Sequence, residues 1–167
     1  MIIGLTGGMG CGKSTAAKHF VELGYHLLDS DQIVRDEILT DPEVVNLVRE
    51  RWGGEMLGAD GHIVRKQLAE KVFSDDSERE ILESWVHPRL FERWRDRFAA
   101  GGEIDWVVEV PLLFEQSLEN WFDFVVCVAS SAPVQLARLS ERGISHALAG
   151  QRISKQLPLA RKLELAD

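Results

Sequence analysis

The chain has 167 residues, 45% of them hydrophobic and 28% charged, with 19 lysines and arginines against 27 aspartates and glutamates for a formal net charge of −8. Such proportions describe a globular domain large enough to bury a real core, and the acidic balance excludes a general nucleic-acid binder, which needs a basic face to neutralise phosphates. No run approaches the roughly eighteen apolar residues of a membrane span, no basic-then-apolar leader precedes the first strand, and the two cysteines, Cys11 and Cys127, fit no metal spacing. The expectation is a reduced, cytoplasmic protein.

Residues 1–5 form a short apolar strand that runs directly into Gly7-Gly8-Met9-Gly10-Cys11-Gly12-Lys13-Ser14-Thr15. This stretch fits G-x-x-x-x-G-K-[ST], the phosphate-binding loop of P-loop proteins. Behind it Ala16, Ala17, Phe20, Val21 and Leu23 recur at helical spacing, and Gly24 supplies a stop. In the order strand, loop, helix, the glycines let consecutive N–H groups curl toward phosphate oxygens, and the helix N-terminus adds its positive dipole end. Gly8, Gly10, Cys11, Gly12 and Thr15 then line a nucleotide cradle. Lys13 is expected to reach the β- and γ-phosphates and Ser14 to ligate Mg²⁺. A thiol at Cys11, beside a helix N-terminus and Lys13, is expected to be reactive when the cradle is empty.

Residues 25–28 read as a second strand ending in Asp29-Ser30-Asp31. A strand, a helix and a strand close right-handed and parallel, so this carboxyl end faces the same sheet edge as the loop. Asp29 and Asp31 are two apart and point the same way in extended chain. A carboxylate there could deprotonate an acceptor hydroxyl or hold Mg²⁺ through water; the other reading is that Asp31 N-caps a helix over 32–39.

The pattern from 32 to 102 is helical throughout. Pro42 opens a helix through Trp52 that ends at Gly53-Gly54; Val64, Leu68, Val72 and Phe73 mark the next. A long amphipathic helix follows with Ile81, Leu82, Trp85, Val86, Leu90, Phe91, Trp94 and Phe98, interrupted at His87-Pro88. About seventy residues are too many for a simple crossover, which needs a dozen or so; they predict an inserted subdomain that holds the acceptor. Arg65, His87 and Arg89 are its polar candidates, with ordinary surface or cap chemistry as the competing reading. Trp52, Trp85 and Trp94 read as core.

Residues 104–110 predict a buried third strand with Glu109 near its end, followed by Pro111-Leu112-Leu113-Phe114-Glu115. An acidic residue here positions Mg²⁺ in P-loop enzymes, and Glu109 and Glu115 are both candidates. Residues 123–128 predict a fourth strand, apolar enough to be covered on both faces. Arg138, Arg142, Arg152, Lys155, Arg161 and Lys162 then gather against Glu141 alone. Arg138 and Arg142 lie one helical turn apart and lead into Gly143, a pattern suited to a lid that folds over a triphosphate; a solvated basic face is the alternative.

Together these residues resemble the dephospho-coenzyme A kinase family. The resemblance runs through Gly4-Leu5-Thr6-Gly7-Gly8 to Thr15, Asp29-Ser30-Asp31, Asp60-Gly61 with Arg65, and His87-Pro88. It continues through Val110 to Glu115, Gln135 with Arg138 and Arg142, Arg152 with Gln156, and Ala166-Asp167. It implies an α/β fold, a three-layer P-loop kinase core with a parallel sheet of five strands at about 1–31 and 103–167. It further implies a helical acceptor-binding insertion at about 32–102 and a lid at about 138–157. The implied reaction is ATP-dependent phosphorylation of the ribose 3′-hydroxyl of dephospho-coenzyme A, with ATP and Mg²⁺; the expectation beside it is a cytoplasmic monomer, or at most a weak oligomer, that engages neither nucleic acid nor membrane. On matching positions Asp31 is the base, Lys13, Arg138 and Arg142 the other catalytic groups, and Asp29, Arg65, His87, Pro111, Leu112 and Glu115 lie toward the acceptor. Serine at position 30 replaces the family's usual alanine. Family members continue past the position of Asp167 with an apolar strand, an Asn-x-Gly turn and a helix, so the resemblance implies a chain truncated at its carboxyl end. Shikimate kinase pairs a similar loop with Asp-x-Asp but expects a glycine triplet where this chain has Pro111-Leu112-Leu113. A GTPase switch would need Asp-x-x-Gly and Asn-Lys-x-Asp, which do not occur. An inactive nucleotide-binding fragment is the remaining alternative.

Overall fold

A computed structural model describes residues 1–167. They divide into two compact units, one formed by Met1–Asp29 with Glu103–Asp167 and the other by Ser30–Gly102. The first unit is built on strands β1 (Ile2–Gly7), β2 (His26–Asp29), β3 (Trp106–Glu109) and β4 (Phe124–Val128). They make one parallel sheet in the order β2-β3-β1-β4. Helices α1 (Lys13–Glu22), α6 (Ala132–Glu141), α7 (His146–Ser154) and α8 (Leu159–Leu165) complete the unit.

Alternation along the strands places Leu5 and Val107 on the face where Ala17 of α1 packs, and all three are at most 1% exposed. On the opposite face Gly4 leaves room for Leu113 and Phe122: a Cβ at that position would stand 2.8 Å and 2.7 Å from them. The sheet has four strands where the family resemblance implied five. Everything after β4 is helix and loop, with Pro133 in the first turn of α6 and Pro158 capping α8. The expectation that the fourth strand is covered on both faces also fails. β4 lies at the sheet edge, its Phe124 is 52% exposed, and its outer backbone at Val125 is met only by Asp167.

The second unit contains α2 (Ser30–Ile33), a π-helical turn (Val34–Ile38), α3 (Pro42–Trp52), α4 (Arg65–Phe73) and α5 (Asp76–Ala100). Asp41 caps α3 by accepting from the Glu43 N–H, Pro42 occupies its first turn, and Gly53 follows its end. Asp75 caps α5 through the Ser77 and Glu78 N–H groups. Glu78 accepts from Arg51 and from the Trp52 indole, tying α3 to α5, and those two hydrogen bonds hold its carboxyl below the usual range.

Helix α5 runs unbroken through Pro88, against the expected interruption at His87-Pro88. Proline in a helix interior removes one hydrogen bond and costs about 3 kcal/mol. Along the same helix Val86, Leu90 and Trp94 are buried to 7%, 5% and 0% exposure, and each such side chain contributes about 1.5–3 kcal/mol. The apolar face therefore outweighs the break. The Arg89 guanidinium also donates to the Trp85 carbonyl at 2.9 Å, beside the carbonyl that the proline leaves without its donor.

Candidate active site

The phosphate loop joins β1 to α1. Gly10 and Gly12 take φ of 74° and 96°, a region in which a side chain is strained, and this turns the chain sharply into the helix. Gly12 caps α1 without any side-chain hydrogen bond, and the first turn carries no acidic residue. The Thr15 and Ala16 N–H groups both turn onto the Gly12 carbonyl, at 3.0 and 3.1 Å, while the Lys13 and Ser14 N–H groups precede the first intrahelical acceptor, so the end of α1 is electropositive and suited to an anion.

The loop carbonyls, which would repel a phosphate, are each held by a donor. Lys13 Nζ donates to the Gly7 and Gly8 carbonyls at 3.2 Å. Gln135 Nε2 donates to Met9 at 2.8 Å, Arg138 Nη1 to Gly10 at 3.2 Å, and Ser130 Oγ to Cys11 at 3.1 Å. Arg138 Nη1 also donates to Ser130 Oγ at 3.2 Å, so α6 and the segment before it brace the loop from behind. Sequence reasoning missed Ser130 and gave Gln135 no role in the site. A buried amide at a helical position was the available signal for Gln135. Arg138 was expected to reach over a triphosphate, and in this structure it grips the loop backbone instead. Arg142 lies just past the end of α6 and is exposed.

Two expectations for Cys11 need correction. Its N–H closes a turn onto the Gly8 carbonyl at 3.2 Å, so that group is engaged within the loop. Its side chain is 3% exposed and lies against Gly8, which shields the thiol from reagents. Cys127, on β4, is pushed up by burial, with Lys162 the largest opposing influence.

At the carboxyl edge of the sheet, Asp29 of β2 and Glu109 of β3 are register partners, and Glu109 also pairs with Leu5 of β1. Registered residues in parallel strands share a face, so both carboxylates lie on the face that carries Leu5 and α1. Ser14 is exposed in the first turn of that helix. Two carboxylates and a hydroxyl are hard oxygen donors of the kind Mg²⁺ takes.

Glu115 is placed differently from expectation. Its carboxylate pairs with Lys162 Nζ at 2.7 Å and accepts from the Leu157 N–H at 2.9 Å. Lys162 is fully buried and also donates to the Pro111 carbonyl at 3.1 Å, which accepts from Thr6 Oγ1 at 3.3 Å. The segment Pro111-Leu112-Leu113-Phe114-Glu115 is thereby fastened to α8 on one side and β1 on the other. Leu112 is partly buried there.

In the second unit, Asp31 lies in the first turn of α2, not at its cap, because the helix starts at Ser30. It is exposed and two residues past the end of β2. The helix then widens into the π turn, where the Leu39 N–H reaches back five residues to Val34 at 2.9 Å; such turns recur at functional sites. Arg65 opens α4 and lines a cleft of about 340 Å³ with Arg35, Asp36, Thr40 and His62. His87 stacks on Phe91 at 5.9 Å, and burial depresses its pKa while Glu83 acts the other way.

A parallel sheet with a braced phosphate loop on a helix that has no side-chain cap, and acidic residues along the same edge, defines a P-loop phosphotransferase of the small-molecule kinase type. The sequence profile described as dephospho-CoA kinase matches residues 1–167. The chain belongs to the dephospho-CoA kinase family. It is 34% identical over 167 residues to a dephospho-CoA kinase of Thermosynechococcus vestitus, covering 99% of this chain and 82% of that protein. A Thermus thermophilus protein of known structure superposes with a TM-score of 0.79 at 29% identity, over 99% of this chain and 85% of the other. The dephospho-CoA kinase from Campylobacter jejuni does so with a TM-score of 0.68 at 26% identity, over the same shares, 99% and 85%. The chain is accordingly a kinase that acts on a nucleotide and a small-molecule acceptor in coenzyme A synthesis. No helix is long and apolar enough to cross a membrane.

Proposed function

We propose that the chain transfers the γ-phosphoryl group of ATP to the ribose 3′-hydroxyl of dephospho-coenzyme A, acting as a cytoplasmic monomer without nucleic acid. The observation that carries this reading is the loop whose carbonyls from Gly7 to Cys11 are all held by donors, which leaves an N–H-lined cradle for the triphosphate. Lys13, whose Nζ lies 3.2 Å from the Gly7 and Gly8 carbonyls, is the loop's cation and neutralises charge on the β- and γ-phosphates. Ser14 with Asp29 and Glu109 would hold Mg²⁺, which supplies charge neutralisation at the phosphate oxygens when bound. Asp31 accepts the proton of the 3′-hydroxyl and aligns it for in-line attack. Arg65 and His87 belong to the acceptor side, with the 32–102 insertion as its holder. The segment 138–157 serves as the lid, with Arg142 closing over the transferred group to exclude water and Arg138 setting the loop beneath.

A coupled ADP-release assay with dephospho-coenzyme A, shikimate or no acceptor tests this. ADP is expected only with dephospho-coenzyme A, and Asp31→Asn lowers kcat by about 10²–10⁴ with ATP binding retained. Equal ADP release with shikimate or with water alone would reject the acceptor assignment; unchanged kcat in the variant would remove Asp31 from the chemistry.

A further inference from the structure

Gln135 enters the mechanism above only as one of several donors to the loop carbonyls, yet it is 7% exposed, a rare degree of burial for a glutamine, and it sits against the loop that the mechanism depends on. Its Nε2 donates to the Met9 carbonyl at 2.8 Å, and its own N–H is held in α6 by Ser131 at 3.0 Å. Two of the loop glycines are shaped around it. A Cβ at Gly8 would stand 2.8 Å from Gln135 Nε2, and one at Gly10 would stand 2.9 Å from the Gln135 carbonyl.

The peptide between Met9 and Gly10 is the weak point of the cradle. Gly10 has no side chain to restrict it, so rotation of that peptide is sterically cheap. Such a rotation would exchange the directions of the Met9 carbonyl and the Gly10 N–H, putting an acceptor where a phosphate oxygen must sit. Nothing in the local chain forbids the exchange; a donor from outside the loop has to.

We propose that Gln135 is a positioning residue for triphosphate binding: its amide locks the Met9–Gly10 peptide with the carbonyl outward, and so sets nucleotide affinity without touching the nucleotide. This rests on the reading of the loop as an ATP site and adds a residue to it.

The test is calorimetric titration of MgATP and MgADP into the parent chain and into Gln135→Met and Gln135→Glu, with the unfolding midpoint of each free protein measured alongside. Methionine keeps the length and volume and removes the donor; glutamate keeps the shape and turns an acceptor toward the carbonyl. The expected order of affinity is Gln, then Met, then Glu, with Gln135→Met weakened about tenfold, the scale of one lost hydrogen bond, and Gln135→Glu by more. The KM for dephospho-coenzyme A stays within twofold or so of the parent in both, since the substitutions act on one substrate only. Nucleotide affinity of Gln135→Met within about twofold of the parent, or a fall in its unfolding midpoint with affinity unchanged, would reduce Gln135 to a core residue and overturn the proposal. A parent chain that binds MgATP but does not phosphorylate dephospho-coenzyme A overturns the acceptor assignment and leaves the Gln135 comparison standing. A parent that binds no nucleotide overturns both.

Discussion

At the scale of single residues, the most demanding group in the molecule is Lys162. A lysine with no exposed surface has to be compensated, and here Nζ meets Glu115 Oε1 at 2.7 Å and the Pro111 carbonyl at 3.1 Å. Taking away one member of a buried pair leaves the other charged and poorly solvated. Glu115→Gln, which leaves the fully buried Lys162 charge without its counter-ion, is therefore expected to lower stability by about 3 kcal/mol, and Glu115→Gln with Lys162→Met to lower it by less than the two single changes together. Urea unfolding of the three variants checks this. A single-variant loss below about 0.5 kcal/mol, the scale of an exposed pair, would show that the pair is not holding α8 to the loop after β3. The sequence could not have announced this contact. Lys162 reads as one more member of a basic cluster and Glu115 as a metal candidate, and the partnership depends on the 46 intervening residues folding correctly. Lys13 was legible for the opposite reason: its role follows from a motif in which neighbouring residues alone define the geometry.

Elements were legible where local chemistry decides them. The apolar strands, the Pro42 start and the Gly53 stop of α3 lie within a residue or two of where periodicity puts them. They were misread where tertiary burial overrides a local signal, as in the passage of α5 through Pro88 and the edge position of β4. The same helix carries a pH dependence. The His87 ring is half buried against Phe91, and burial holds its pKa below the ordinary imidazole value of about 6.5. Between the folded and unfolded values the unfolded chain binds the extra proton, so stability from this group is complete above about 6.5 and is lost as pH falls through that range toward the folded value. The parent is expected to lose more stability between pH 7.5 and 5.5 than His87→Phe, which retains the ring stack and cannot titrate. Thermal unfolding at both pH values decides it, and parallel losses in the two proteins would show that the histidine is solvated well enough not to matter.

At the scale of the whole molecule, the chain divides into Met1–Asp29 with Glu103–Asp167 and Ser30–Gly102, and the roles proposed above divide along the same line. Every donor that braces the phosphate loop comes from the first unit, and so does the Asp29–Glu109 pair. The second unit brings Asp31, Arg65 and His87 but no part of the triphosphate cradle. A parallel crossover between β2 and β3 needs only a dozen or so residues, and the surplus of about sixty has no use in building the sheet; this is why an acceptor-holding role is the natural assignment for it. If so, the two substrates should leave separate footprints in amide hydrogen exchange, because a ligand slows exchange where it removes local opening. MgADP alone is expected to slow exchange most in residues 7–16 and 130–139, the loop and its brace. Dephospho-coenzyme A alone is expected to slow it most within 30–102, around α2, the π turn and the start of α4. Protection by dephospho-coenzyme A confined to the first unit would separate the insertion from acceptor binding and leave Asp31 without a substrate to act on. Protection of 130–139 by MgADP that disappears in Gln135→Met, while residues 13–16 remain protected, would trace the brace itself, from α6 through one amide to the Met9 peptide.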